Sequence, residues 1–123
     1  TIFNYTEMGN DLLEDGLYVL EDKLADPAFK ENMVKFVRAS MKGWKYATEN
    51  PDEAAEIVMD NGGQDENHQK RMMGEVAKLI GDGSGKLDLA VYERTAKALL
   101  DQKIITAEPE GAYTTEITDA AAQ

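Results

Sequence analysis

Only two short stretches of this chain read as β-strand, and the longer apolar patterns after them repeat with the period of a helix. Thr1 to Tyr5 carries Ile2, Phe3 and Tyr5 and reads as a short strand, punctuated by Gly9-Asn10. Gly16-Leu17-Tyr18-Val19-Leu20 reads as a second strand. Two strands cannot make an independently stable sheet, so these stretches need partner strands, and no other segment supplies them. The asymmetry points to part of a larger α/β body. The competing reading is a small helical bundle with an extended N-terminal arm.

Four helices are signalled in turn. Asp26-Pro27 is a helix start, an acid at the cap and proline at the first helical position. Phe29, Met33, Phe36, Val37, Met41, Trp44 and Ala47 then recur every three or four residues as one apolar face. Trp44, Phe36 and Met41 are accordingly assigned to the core. Asn50-Pro51 ends that helix and starts the next, with Asn50 as cap and Ala54, Ile57 and Val58 facing inward. Asn61-Gly62-Gly63 ends the second. A third helix runs from about Asp65 to Ile80, buries Met72, Met73, Val76, Leu79 and Ile80, and stops at Gly81. A fourth opens at Asp88, with Leu87 and Tyr92 placed as a hydrophobic staple and Ala96, Leu99 and Leu100 on its stripe. After Ile105 the chain reads as irregular, with a fraying run at Ala120 to Ala122.

Composition narrows the function classes. Acids number 24 against 13 Lys and Arg, a net charge of -11, which opposes binding to nucleic acid or to an anionic membrane surface. With no cysteine, disulfides, thiolate zinc sites and thiol catalysis are excluded. The apolar runs are too short for a membrane span or a signal-peptide core. The chain opens at Thr1 without an initiator Met, which points to a signal sequence, a tag boundary or a whole domain removed upstream.

Four segments carry a resemblance. They are Tyr5-Thr6-Glu7-Met8-Gly9-Asn10-Asp11, Asp15-Gly16-Leu17-Tyr18, Phe36 to Trp44 (FVRASMKGW) and Glu49-Asn50-Pro51-Asp52-Glu53-Ala54. In this order and spacing they resemble the no-message-in-thiamine (Thi-like) family, a branch of the nitrate, sulfonate and taurine type of ABC-transporter solute-binding proteins. His68-Gln69 and Tyr92-Glu93-Arg94-Thr95 extend the likeness, to about residue 105. The resemblance implies an α/β fold, the C-terminal part of a type II periplasmic-binding arrangement with about four helices and two short strands. Residues 1–8 would then end the second lobe and form the hinge. Residues 9–105 would hold the crossover strand and the C-terminal helices of the first lobe, and 106–123 a tail.

It also implies a periplasmic protein that binds a small polar molecule between two lobes and passes it to an inner-membrane permease. The other partner would be an N-terminal part of the same protein, and no nucleic acid, metal or cofactor is expected. Tyr5, Glu7, Asn10 and Asp11 on the crossover are the candidate ligand-binding residues. Tyr5 can stack on a planar ligand or hydrogen-bond it, and Glu7, Asn10 and Asp11 can match the donor–acceptor edge of an aminopyrimidine. The plain alternative is a turn at Gly9-Asn10 with solvated acids. The acidic crossover favours a heterocycle bearing amino groups over a sulfonate-type anion.

Other motifs carry no chemistry. His68 is the single histidine and has no nucleophile or second ligand beside it, so it reads as surface. Arg38 and Lys42 read as solvated or paired with acids. Gly81-Asp82-Gly83-Ser84-Gly85-Lys86 fails as a phosphate loop, because Leu87 follows the lysine. It fails as a calcium loop because Lys86 takes a ligand position and Leu87 replaces the required glycine. No catalytic residue is assigned, and an enzyme is not expected. Fungal members of the family make the thiamine pyrimidine, an activity that depends on histidine, cysteine and a cofactor-binding lysine, and this chain lacks cysteine.

Overall fold

A computed structural model of the chain describes residues 3–13, 15–80 and 83–123. Among these residues there are six helices and no strand: α1 (Glu21–Leu24), α2 (Pro27–Glu49), α3 (Pro51–Met59), α4 (Glu66–Ile80), α5 (Leu89–Asp101) and α6 (Glu116–Ala121). The main boundaries follow from local chemistry. Asp26 accepts the Ala28 amide at 2.9 Å ahead of Pro27. Asp88 accepts Ala90 and Val91 at 2.9 and 3.2 Å, and Asp65 accepts the His68 amide at 2.9 Å. Helix α5 closes in a Schellman turn, with Lys103 N–H to Leu100 O and Ile104 N–H to Leu99 O, both at 2.9 Å. Lys103 takes the left-handed φ of 58° that such a turn demands.

The long helix α2 is the organiser. It contacts α1, α3, α4 and α6, and α3 pairs with α4. Lys70 of α4 bridges Asp52 of α3 at 3.1 Å and its own Glu66 at 2.8 Å. Tyr46 of α2 hydrogen-bonds Glu53 across the Asn50–Pro51 corner, which pushes the phenol above its ordinary pKa. Helix α6 lies on α2: Lys30 reaches Glu116 at 2.6 Å, and Arg38 donates to Ala121 O at 3.1 Å and Ala120 O at 2.9 Å. Helix α5 makes no helix–helix contact among the described residues.

The core these helices enclose is thin. Its buried apolar members among the described residues are Val37 (4% exposed), Ala54, Ala55 (2%) and Ile117. The accessible surface is 9881 Å² for a 13.6 kDa chain. A compact monomer of that mass exposes roughly 6,600 Å², so the helices leave a large share of their surface unpaired.

Several expectations are corrected by this. Gly16 to Leu20 is irregular, not a strand, and Tyr18 is 87% exposed. Phe3 and Asn4 are irregular and Tyr5 opens a turn, while Thr1 and Ile2 of the same expected strand lie outside the described residues. An extended segment becomes a strand only when a neighbour takes its hydrogen bonds, and none stands beside these among the described residues. The expected apolar faces are also partly in solvent: Phe36, Ile57, Val58 and Met72 are exposed, Trp44 is 40% exposed and Leu79 84%. Ala54, Met41, Met73, Val76 and Ile80 do turn inward, fully or in part. Asn50 stands at the N-cap of α3, where its carbonyl accepts the Ala54 amide at 3.0 Å, but its side chain donates to Tyr46 O at 3.0 Å and so closes α2 without capping an α3 amide. The segment after Ile105 contains α6, whose Ile117 is buried, so Ala120 and Ala121 belong to a docked helix. Gly81 and Asp82 lie outside the described residues.

Candidate functional site

The segment 3–13 is built around a tight turn at residues Tyr5 to Gly9. The Met8 amide donates to Asn4 O and Tyr5 O, both at 3.2 Å, and Gly9 N–H to Thr6 O at 3.1 Å. Asn10 N–H reaches Tyr5 O at 2.8 Å, and Asn4 Oδ1 takes the Thr6 amide at 3.1 Å. Gly9 has φ +74°, the left-handed conformation that a side chain resists, so glycine is what lets the chain close here. The turn gathers Tyr5, Glu7 and Asn10 onto one short exposed loop. The backbone bond from Asn10 to Tyr5 sets those two residues beside each other.

Asp11 faces elsewhere. It is half-buried, and Arg94 of α5 grips it twice: Nε donates to the Asp11 carbonyl at 3.1 Å, and Nη2 stands 3.5 Å from Oδ2. Two residues on, the Leu13 amide donates to Thr95 Oγ1 at 3.0 Å, and that hydroxyl donates to Val91 O at 2.8 Å. The crossover is therefore clasped to α5 by neighbouring residues, Arg94 and Thr95. Sequence reasoning gave these residues no structural role. Their contacts lie 82 and 83 residues away along the chain, and the one available signal was that Tyr92-Glu93-Arg94-Thr95 shares the family likeness.

A concave surface lies on α2. Arg38, Met41, Lys42, Lys45 and Thr48 form one wall of an open cleft of about 720 Å³, which Ile80, Gly83 and Ala121 to Gln123 complete. Arg38 is not free, and among the described residues it pairs with no acid; it binds the carbonyls that end α6, where the helix dipole is negative. The acids of α6 have partners of their own. Lys30 holds the Glu116 carboxyl below the usual carboxylate range. The Thr115 hydroxyl, then Lys86 at 3.2 Å, does the same for Asp119.

Among the described residues no group of three or more His, Asp or Glu side chains is placed to hold a metal ion. None of their helices is long and apolar enough to cross a membrane. His68 is exposed. No curated protein and no solved structure matches the chain. Residues 1–54 match the family model described as NMT1/THI5 like. The four motif segments quoted above all fall inside that span, His68-Gln69 and Tyr92 to Thr95 fall outside it, and the match supports the NMT1/THI5-like family over the N-terminal 54 residues.

Proposed function

We propose that this chain is the C-terminal part of the solute-binding component of a bacterial ABC importer, working in the periplasm without bond-making chemistry. The observation that carries the reading is the NMT1/THI5-like match over residues 1–54, which holds the whole crossover. The large open surface agrees with it. In this reading, Gly16 to Leu20 and the exposed faces of α2 to α4 pack against polypeptide outside these 123 residues, as an α/β lobe requires. Tyr5, Glu7 and Asn10 face the ligand, a thiamine-pyrimidine-like or related heterocycle, with a sulfonate-type anion as the alternative class. Asp11 serves the clasp to α5 as well as the site. Ligand contacts favour the closed arrangement of two lobes, and a permease of the inner membrane receives that form.

The test is a thermal-shift screen of the protein, joined to the rest of its lobes, against aminopyrimidines, sulfonates and related heterocycles. A true ligand at about 100-fold its Kd adds about 2.7 kcal/mol of stability. The reading fails if none of these classes shifts the transition. A clear absorbance band from bound pyridoxal phosphate would instead favour a pyrimidine-forming enzyme.

A stand-alone helical interaction module is the second reading. It is favoured by six helices and no strand among the described residues. It predicts that the chain folds cooperatively alone.

A further inference from the structure

We infer that the α2 cleft is a binding site for a phosphomonoester-type dianion, separate from the crossover and independent of the transport reading. Arg38, Lys42 and Lys45 stand at positions i, i+4 and i+7 of α2, so one helix face turns three cations into the same cleft. Among the described residues no acidic side chain lines it, in a chain whose acids outnumber its bases by 24 to 13.

The cleft lysines are less committed to acids than the paired lysines of the other helix faces. Lys35, Lys70, Lys78 and Lys97 hold carboxylates at 2.6, 2.8, 2.7 and 2.7 Å. Lys45 has its acid, Glu49, only at 3.9 Å. Lys42 makes no hydrogen bond or ion pair with the described residues. Arg38 spends two of its donors on the α6 carbonyls, and a guanidinium carries five. A concave surface with three cations along one wall concentrates anions at that wall, and its volume lies in the range of small-molecule sites.

The walls are fixed. Arg38 ties α6 to α2, and Gly85 holds φ +64° with its Cα side pressed on Met41, where a Cβ would come within 2.7 Å of Sδ. Met41 and Ile80 give the cleft an apolar floor beside its cations. A phosphate that carries an apolar group fits that pairing better than the bare ion does. The charge recognises the dianion and the floor takes the remainder.

The experiment is an NMR titration of the protein, joined to the rest of its lobes, with inorganic phosphate and, separately, with phenyl phosphate, at fixed ionic strength. Amide shifts are expected at residues 38–48 and methyl shifts at Met41 and Ile80, with phenyl phosphate binding at least threefold tighter. Lys42→Ala and Lys45→Ala should each weaken both ligands at least threefold, whereas Lys103→Ala, at the exposed turn that ends α5 and outside the cleft lining, should leave them unchanged. Unaltered helical circular dichroism shows that each variant keeps its fold, and Arg38 is left intact because it holds α6. Inorganic phosphate binding as tightly as phenyl phosphate would remove the apolar half of the proposal. Shifts that are absent at millimolar ligand, that scatter over all surface lysines, or that persist in both cleft variants would overturn it.

Discussion

Arg94 holds Asp11 by its backbone and its side chain at once, at 3.1 and 3.5 Å, and so fixes the start of the crossover to a helix 83 residues away. The neighbouring bond from Leu13 to Thr95 makes this a two-point clasp. Arg94→Ala should raise amide hydrogen exchange at residues 10–13 while leaving α2 to α4 unchanged. Exposed ion pairs contribute about 1 kcal/mol or less, so the midpoint of unfolding should move little. Thr95→Val keeps the shape, removes the acceptor for Leu13 and should cost about 1 kcal/mol. Unchanged exchange in the double variant would show that the clasp does not hold the segment.

Helix α5 depends on its two ends. Asp88→Ala removes the acceptor of two amides and should destabilise by about 1 kcal/mol, with Asp88→Asn retaining most of the cap. At the other end, Lys103 sits at φ 58°, where glycine is the usual occupant. Lys103→Gly should stabilise by about 0.5 kcal/mol, the relief of left-handed strain less the added chain entropy. Chemical denaturation of the three variants measures both ends.

Helix α6 is docked by one buried side chain and by ions. Ile117→Ala should cost about 2 kcal/mol and free the last helix, seen as lost amide protection at residues 116–121.

The same helix should respond to acid. The carboxyls of Glu116 and Asp119 both titrate below their ordinary range when folded, Glu116 through Lys30 and Asp119 through Thr115 and then Lys86. Their contribution is present above the unfolded carboxylate pKa of about 4 and is lost as pH falls through the lower folded values. Protection of α6 should therefore fade as pH falls. The α3–α4 pair is joined by Lys70, whose pKa is raised by Glu66 and Asp52, so the lysine's contribution is lost as pH rises through its folded value. High salt should weaken the α6 contacts at neutral pH.

Gly85 permits the close approach of its loop to α2. Gly85→Ala places a Cβ at 2.7 Å from Met41 Sδ in a left-handed conformation, so it should cost about 1–2 kcal/mol. Met41→Ala should return only part of that, because it clears the contact and leaves the backbone strain. Full recovery in the double variant would assign the whole cost to the contact.

Helix positions were legible because their signals are local. Asp26-Pro27, Asn50-Pro51 and Asp88 mark boundaries through bonds made within a few residues. The strands were not legible in the same sense. Leu17 to Leu20 has strand-like residues, but pairing is a property of a neighbour, and the described residues offer none. Periodicity likewise names the apolar face of a helix without saying what covers it. That is why Val37 is buried while Phe36 and Trp44 of the same expected stripe are exposed. At the candidate site, the turn at Gly9-Asn10 was readable from turn chemistry. The capture of Asp11 by Arg94 was not, since nothing local couples positions so far apart.

The account rests on a chain whose apolar surface is completed by other polypeptide, and scanning calorimetry of the 123 residues alone tests that most directly. With 9881 Å² accessible and so little buried, it predicts a broad, weakly cooperative transition of low enthalpy, with strong binding of a hydrophobic dye before heating. A sharp two-state transition of a monomer, near the 0.7 kcal/mol per residue typical of compact domains, would contradict it.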